Sequence, residues 1–306
     1  MAALATKQIP SEPLVHTQFE TVTGTWQYIV ADPNTKIAVI IDSVLDFDPA
    51  TATVSTKAAD NLLTSIRDHG YSVSHILETH AHADHLTAAR YLKSKLTCGA
   101  QQPLVCIGAG IEQVQRTFAE NYGISDTDLA GAFDKTFGDN EQFQIGGFTA
   151  TVLHLPGHTP DHIGYKIGSN VFTGDSMFNP DVGSARCDFP GGSPVELFAS
   201  TRKLLALPAH FRLYTGHDYP PAGREAQAYY TVEEHRQQNK HVGSQANRED
   251  FIKWRSERDS QLGEPRLLHQ ALQVNIRGGR LPTVNQQGMR LIKASVKGEA
   301  TLLAAL

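Results

Sequence analysis

Four side chains able to bind a metal fall within six residues, His80-Ala81-His82-Ala83-Asp84-His85. A core packed only for stability has little use for three imidazoles and a carboxylate at that density. In an extended or turn conformation, residues two apart point the same way, so His80 and His82 can grip one cation. Asp84 and His85 then face a neighbouring position. Neutral imidazole suits zinc or iron, and the carboxylate adds hard oxygen and charge. The intervening alanines leave room for a close backbone approach.

The motif follows a short apolar run, residues 74–79, that reads as a buried strand and delivers the chain into His80. Three more ligand-type residues share that placement: His158 follows a strand pattern over 148–155, Asp175 one over 171–172, and His217 one over 211–214. Rigid strands ending in loops are a common way to bring distant positions together. Strand patterns over 26–30 and 37–42 flank a Pro/Asn turn and predict a hairpin. Apolar residues at helical spacing predict helices over 58–66, 86–96 and 111–119, and helices are also expected over 194–207, 231–239 and 248–259. Such alternation is an α/β pattern. At 306 residues it suits one main catalytic domain, 1–247, with a helical extension, 248–306, packed on it.

The formal charge of −5 and the absence of a long basic run argue against a nucleic-acid partner. The densest basic stretch, 248–258, is interleaved with Glu249, Asp250 and Glu257 and reads as a solvated helix face. Three cysteines, Cys98, Cys106 and Cys187, are too few for a disulfide framework and imply a reducing compartment. No apolar run approaches the ~18 residues of a membrane span. Residues 1–15 lack the apolar core of a secretory signal and are poor in arginine. A cytoplasmic location is expected, with a mitochondrial one left open.

Three further segments, Pro156-Gly157-His158-Thr159-Pro160, Thr173-Gly174-Asp175-Ser176 and Thr215-Gly216-His217-Asp218-Tyr219, complete an ordered set. With the first motif they resemble the metallo-β-lactamase superfamily, which implies an αββα sandwich with metal at one edge. Within it, residues 15–282 most resemble the persulfide dioxygenases, the family of the ethylmalonic-encephalopathy protein. The specific segments are Ile41-Asp42-Ser43-Val44-Leu45-Asp46, Leu77-Glu78-Thr79-His80, Ala185-Arg186-Cys187-Asp188-Phe189-Pro190, Thr231-Val232-Glu233-Glu234 and Val274-Asn275-Ile276-Arg277. The resemblance implies one Fe(II) on His80, His158 and Asp175, with a thiol persulfide such as glutathione persulfide and O2 as substrates. It also implies a homodimer. Two histidines and one carboxylate leave iron positions open for oxygen chemistry. His82, Asp84, His85 and His217 would then orient ligands and bound water.

The same residues support a second chemistry. His80, His82 and His158 could hold one zinc and Asp84, His85 and His217 another, with Asp175 bridging, to make a lactam, lactone or thioester hydrolase. A metal-binding scaffold without catalysis is the third reading.

Asp84, besides its place in the metal set, and Tyr219 are the catalytic candidates, and Tyr219 is also placed to touch substrate. Arg186 and Arg277 offer guanidinium forks for a substrate carboxylate, each with a structural ion pair as the plainer alternative. Cys187 is a candidate substrate contact, with a buried inert thiol as its alternative. His154 and His162 are expected to be structural, and His235 and His241 exposed. Ile107-Gly108-Ala109-Gly110 lacks the third glycine of a dinucleotide loop and reads as a turn. Where animal and plant dioxygenases read Gly-Arg-Thr-Asp, this chain reads Ala185-Arg186-Cys187-Asp188. It also carries a loop-rich insertion over 123–140 and an apolar end over 301–306, expected to pack on the domain or a partner subunit.

Overall fold

The computed structural model describes residues 12–99 and 101–297. The chain opens with an antiparallel meander, β1 (Leu14–Glu20), β2 (Thr25–Ala31) and β3 (Ile37–Ile41). A small sheet follows from β4 (Val44–Asp48) and β5 (Thr53–Ser55), then helix α1 (Lys57–His69). Strand β6 (Ser72–Leu77) leads through the metal-ligand motif to β7 (Leu86–Thr87), which joins β4, and to α2 (Ala89–Leu96). Next come β8 (Leu104–Gly108), α3 (Ile111–Tyr122), the single turn α4 (Asp126–Leu129) and β9 (Lys135–Phe137). The first large sheet has the order β1-β2-β3-β6-β8-β9 and turns parallel from β3 onward.

The second half begins with β10 (Gln142–Ile145), β11 (Phe148–His154), β12 (Ile163–Ile167) and β13 (Asn170–Gly174). Helix α5 (Pro194–Leu205) crosses to β14 (Arg212–Thr215), parallel to β13, and β15 (Tyr229–Thr231) closes a second six-stranded sheet. The chain then forms α6 (Val232–Gln238), α7 (Arg248–Asp259) and α8 (Leu268–Asn275).

The burial pattern follows from the strand sequences. β2 is buried along its whole length, and its Tyr28 and Val30 meet Val152, Tyr165 and Phe172 of the facing sheet. Each such side chain withdrawn from water contributes roughly 1.5–3 kcal/mol. The opposite face of the first sheet packs Ile29, Ile40 and Ile76 against α1, α2 and α8. Helices α5 and α7 cover the second sheet through Leu197, Phe198 and Phe251. Four layers, αββα, result, as the motifs implied.

Some expectations are corrected. Strand β1 was not foreseen, because its sequence, LVHTQFE, mixes polar and apolar residues at a half-buried edge. The insertion over 123–140 contains α4 and the edge strand β9. The stretch 248–258 is a packed helix: Phe251, Arg255 and Asp259 are buried, the last two as an ion pair 2.5 Å apart. Of the C-terminal helices, α7 packs on α5, and α8 packs against β7 and α3. The apolar end over 301–306 lies outside the described residues. No helix among the described residues is long and apolar enough to cross a membrane.

Candidate metal centre

The four ligand loops leave the ends of β6 in the first sheet and of β11, β13 and β14 in the second. Asp175 directly follows β13, His217 lies two residues past β14, and His80 three past β6. Glycine explains how the loops approach so closely. A Cβ on Gly216 would sit 2.3 Å from Asp175 Oδ1, and one on Gly174, whose φ is +49°, would sit 2.5 Å from Thr79 Oγ1. Only a residue without a side chain fits either place.

Among the described residues, candidate ligand atoms within 4.8 Å of one another form three groups: His80, His158 and Asp175; His82, Asp84, His85 and His217; and Asp42, Glu78 and His82. The first two meet at Asp175, whose Oδ2 lies 3.6 Å from His217 Nε2. Hydrogen bonds fix which nitrogen of each ring is free. Thr79 Oγ1 donates to Asp42 Oδ2 at 2.9 Å, so it can only accept from His80 Nδ1 at 3.0 Å. The lone pair of His80 is therefore on Nε2. His158 Nδ1 donates to the Arg186 carbonyl at 2.7 Å, which likewise frees its Nε2. His82 Nε2 donates to Asp42 Oδ1 at 3.2 Å and frees Nδ1. Four buried atoms of the cluster, His80 Nε2, His82 Nδ1, His85 Nε2 and Asp175 Oδ1, have no hydrogen-bond partner. An orphaned buried polar atom costs about 1–3 kcal/mol. A divalent cation is the partner this donor set fits.

The electrostatics agree at His80 and Asp84. Burial, reinforced by neighbouring imidazoles, pushes His80 well below the usual histidine range and keeps it neutral, the form that binds metal. Burial opposes charge on Asp84 as well, but His217 and His85 outweigh it and hold the carboxyl well below its usual range. His82 differs: the Asp42 and Glu78 carboxylates outweigh burial and raise its pKa, so binding a cation at its Nδ1 must displace a proton.

Five residues that brace the ligands were not singled out as site residues from sequence. Asp42, with φ of +51°, accepts from the Thr79 backbone N–H as well as its hydroxyl. Glu78 Oε2 lies 3.5 Å from His82 Nε2. Asp161 accepts from the Ala81 N–H at 2.8 Å, and His162 Nε2 accepts from the Asp175 N–H at 2.9 Å. Asn275, on α8, donates to the carbonyls of both His82 and His85 at 2.8 Å. Asp42, Glu78 and Asn275 lie inside the quoted family segments, so position within a motif was the available signal.

Two cavities of about 660 and 870 Å³ lie beside the cluster and share His158 and Arg186 in their walls. Tyr219, 53% exposed, lines the smaller one and stacks on His217 with ring centroids 5.8 Å apart. Arg186 also lines it, but its guanidinium is held by Asp188 in two contacts of 2.5 Å. Arg277 corrects its expected role. It is buried at the end of α8, donates to the Gln273 carbonyl and lines neither cavity. Cys187 lines neither, and burial pushes its thiol far up. His154 is exposed. His235 is buried, not exposed, because the inner face of α6 turns it toward Asn239. His241 is half-buried and stacks on Trp254 at 3.7 Å.

A four-layer αββα sandwich with a buried His/Asp cluster at its strand ends defines a class of metal-dependent enzyme. Residues 21–217 match the metallo-β-lactamase superfamily, and the chain belongs to it. It is 43% identical over 288 residues to the "Beta-lactamase hydrolase-like protein" of Agrobacterium fabrum, covering 94% of this chain but only 65% of that one. It is 43% identical over 282 residues to "Glyoxylase B2" of Dictyostelium discoideum, covering 91% and 94%. Its fold matches the crystal structure of ETHE1 from Myxococcus xanthus with a TM-score of 0.69 and 27% identity, over 87% of this chain and all of that one.

Proposed function

We propose that the chain is a mononuclear-iron persulfide dioxygenase. In this reaction glutathione persulfide, or a similar thiol persulfide, with one O2 and one water gives sulfite, thiol and two protons. The observation that carries the reading is that His80, His158 and Asp175 bring two imidazoles and one carboxylate within 4.8 Å of one another. The family segments and the likeness to ETHE1 add to it.

Fe(II) held by two imidazoles and one carboxylate supplies open coordination positions where sulfur and dioxygen can meet. The chain's own residues do the positioning. Thr79 and the Arg186 carbonyl hold His80 and His158 in the metal-binding tautomer. His162 anchors the backbone of Asp175. Asp84, between His85 and His217, and Tyr219 beside them present polar groups to the cavity.

A dinuclear zinc hydrolase is the second reading. It is favoured by the proximity of His82, Asp84, His85 and His217, and by the hydrolase-like name of the Agrobacterium relative. Metal analysis of protein made without added metal, with oxygen uptake on glutathione persulfide, separates the two. About one iron per chain with sulfite release is expected. Two zincs, no oxygen uptake and thioester or lactone turnover would overturn the proposal. In parallel, His158→Ala is expected to lose the metal and His217→Ala to keep it, whereas a dinuclear centre loses metal in both.

A further inference from the structure

We propose that the larger cavity is an apolar subsite for an alkyl or aryl arm of the sulfur substrate, which widens the carrier from glutathione to thiols with an uncharged apolar group. The proposal rests on reading the metal cluster as the reactive centre, and holds for either metal chemistry.

The cavity, about 870 Å³, falls in the size range of small-molecule sites. It reaches the cluster through His158 and through Ala83, the residue between His82 and Asp84. Phe118, Tyr122, Phe189, Leu262, Pro265 and Leu268 supply its apolar wall. Packing fixes that wall. Phe118 and Tyr122 are buried on α3 and stack with ring centroids 6.1 Å apart, and Phe118 meets Phe189 at 5.3 Å. With Leu268 these rings extend a core cluster that includes Ile107 and Ile276. An arm entering the cavity meets a surface already formed, so little ordering opposes it.

The polar lining groups are engaged with one another. Arg186 pairs with Asp188 and Glu264 with Lys297, each at 2.5 Å. Lys293 Nζ donates to the Tyr122 carbonyl at 2.6 Å. The His269 ring bridges the Tyr122 hydroxyl, at 2.9 Å, and Ser295 Oγ, at 3.1 Å. Asn121, exposed near the end of α3, lacks a hydrogen bond among the described residues. A charged arm must break one of these pairs to be matched, whereas an alkyl or aryl arm needs no partner. One wall is the C-terminal segment Lys293-Ala294-Ser295. The buried Gln273 side chain holds it, accepting from the Lys293 N–H at 3.0 Å and donating to the Lys293 carbonyl at 2.7 Å. A bulky side chain at Ala294 would therefore take space from the arm.

The test titrates the protein, carrying the metal with which it is isolated, with ethanethiol, propanethiol, butanethiol and pentanethiol under nitrogen, by calorimetry. Each added methylene is expected to tighten binding about threefold to fourfold, so pentanethiol should exceed ethanethiol by about 30-fold or more. Ala294→Trp should cut that span below about fivefold while ethanethiol moves less than about twofold. Leu268→Asn, which keeps a similar volume but makes the wall polar, should weaken pentanethiol at least about threefold. Val284→Trp, on the exposed C-terminal segment but outside the lining, controls for a bulky ring near the chain end. Metal content and thermal melting control for folding.

The subsite is overturned if no thiol binds, if affinity is flat along the series, or if Ala294→Trp keeps the full gain with chain length. Oxygen uptake on glutathione persulfide and on pentyl persulfide is measured separately. Its absence with both refutes the dioxygenase reading and leaves the titration to judge the subsite.

Discussion

Replacing Asn275 by alanine should unlock the metal loop from a distance of nearly two hundred residues in sequence. The Asn275 side chain makes three buried hydrogen bonds: it donates to the carbonyls of His82 and His85 and accepts from the Thr87 N–H at 2.9 Å. It is 3% exposed, so water cannot replace it without opening α8. Truncation leaves two carbonyls and one N–H unpaired, each costing about 1–3 kcal/mol. Allowing some relaxation, we expect a loss of about 3–4 kcal/mol. At roughly 2 °C per kcal/mol for a chain of this size, the melting temperature should fall by about 6–8 °C. The measurement is denaturant unfolding of metal-free protein, so that metal binding does not mask the change. Metal content of the variant, with the ligand loop loosened, should fall as well. A variant within about 1 kcal/mol of wild type and fully metallated would refute the view that α8 holds the loop in place.

Other outcomes follow from burial and charge. Of the three cysteines, Cys98 is exposed, while burial pushes Cys106 up to about 12 and Cys187 higher still. A thiol-reactive dye should label one cysteine quickly in the native protein and all three after unfolding; two fast thiols would refute it. His235 is buried with its pKa lowered to about 4 by desolvation, against 6.5 unfolded. The unfolded state therefore takes up the proton first, and stability present above pH 6.5 should drain away as pH falls toward 4. The loss from this residue reaches at most about 3 kcal/mol. His235→Gln should flatten that part of a stability-against-pH curve, and an unchanged slope would clear His235 of the effect.

The ligands were legible because their information is local. A dense motif after a strand pattern, and glycine before each of His158, Asp175 and His217, describe loops that must converge closely. The periodicity of α1 and α3 was equally open to reading. What escaped depends on partners far along the chain. Asn275 looked unremarkable beside Arg277, yet the amide braces the metal loop while the guanidinium bonds within its own helix end. His235 lies in a polar stretch, and only the packing of α6 decides that its ring turns inward. The apparently solvated charges of α7 divide between a buried ion pair and a cavity wall, a partition that no periodicity encodes.

Asp42 carries this logic furthest, since one carboxylate governs two ligand rings. Its Oδ1 accepts from His82 Nε2, and its Oδ2 accepts from the Thr79 hydroxyl that in turn accepts from His80 Nδ1. Both imidazoles thereby present a bare nitrogen to the cluster. In Asp42→Asn one of these acceptors becomes an NH2 donor. If it faces Thr79, the hydroxyl must turn its proton toward His80 Nδ1, forcing the proton of that ring onto Nε2, the metal-binding atom. If it faces His82, that ring loses the acceptor that fixes its tautomer. Either way a correct ring must be re-formed at a cost, and removing such an orienting partner typically weakens metal binding 10–100-fold. Competition against a chelator of known affinity measures this directly. Should D42N bind metal within about threefold of wild type, the ring orientations must be enforced by packing alone, and the relay through Thr79 would have no part in the affinity of the centre.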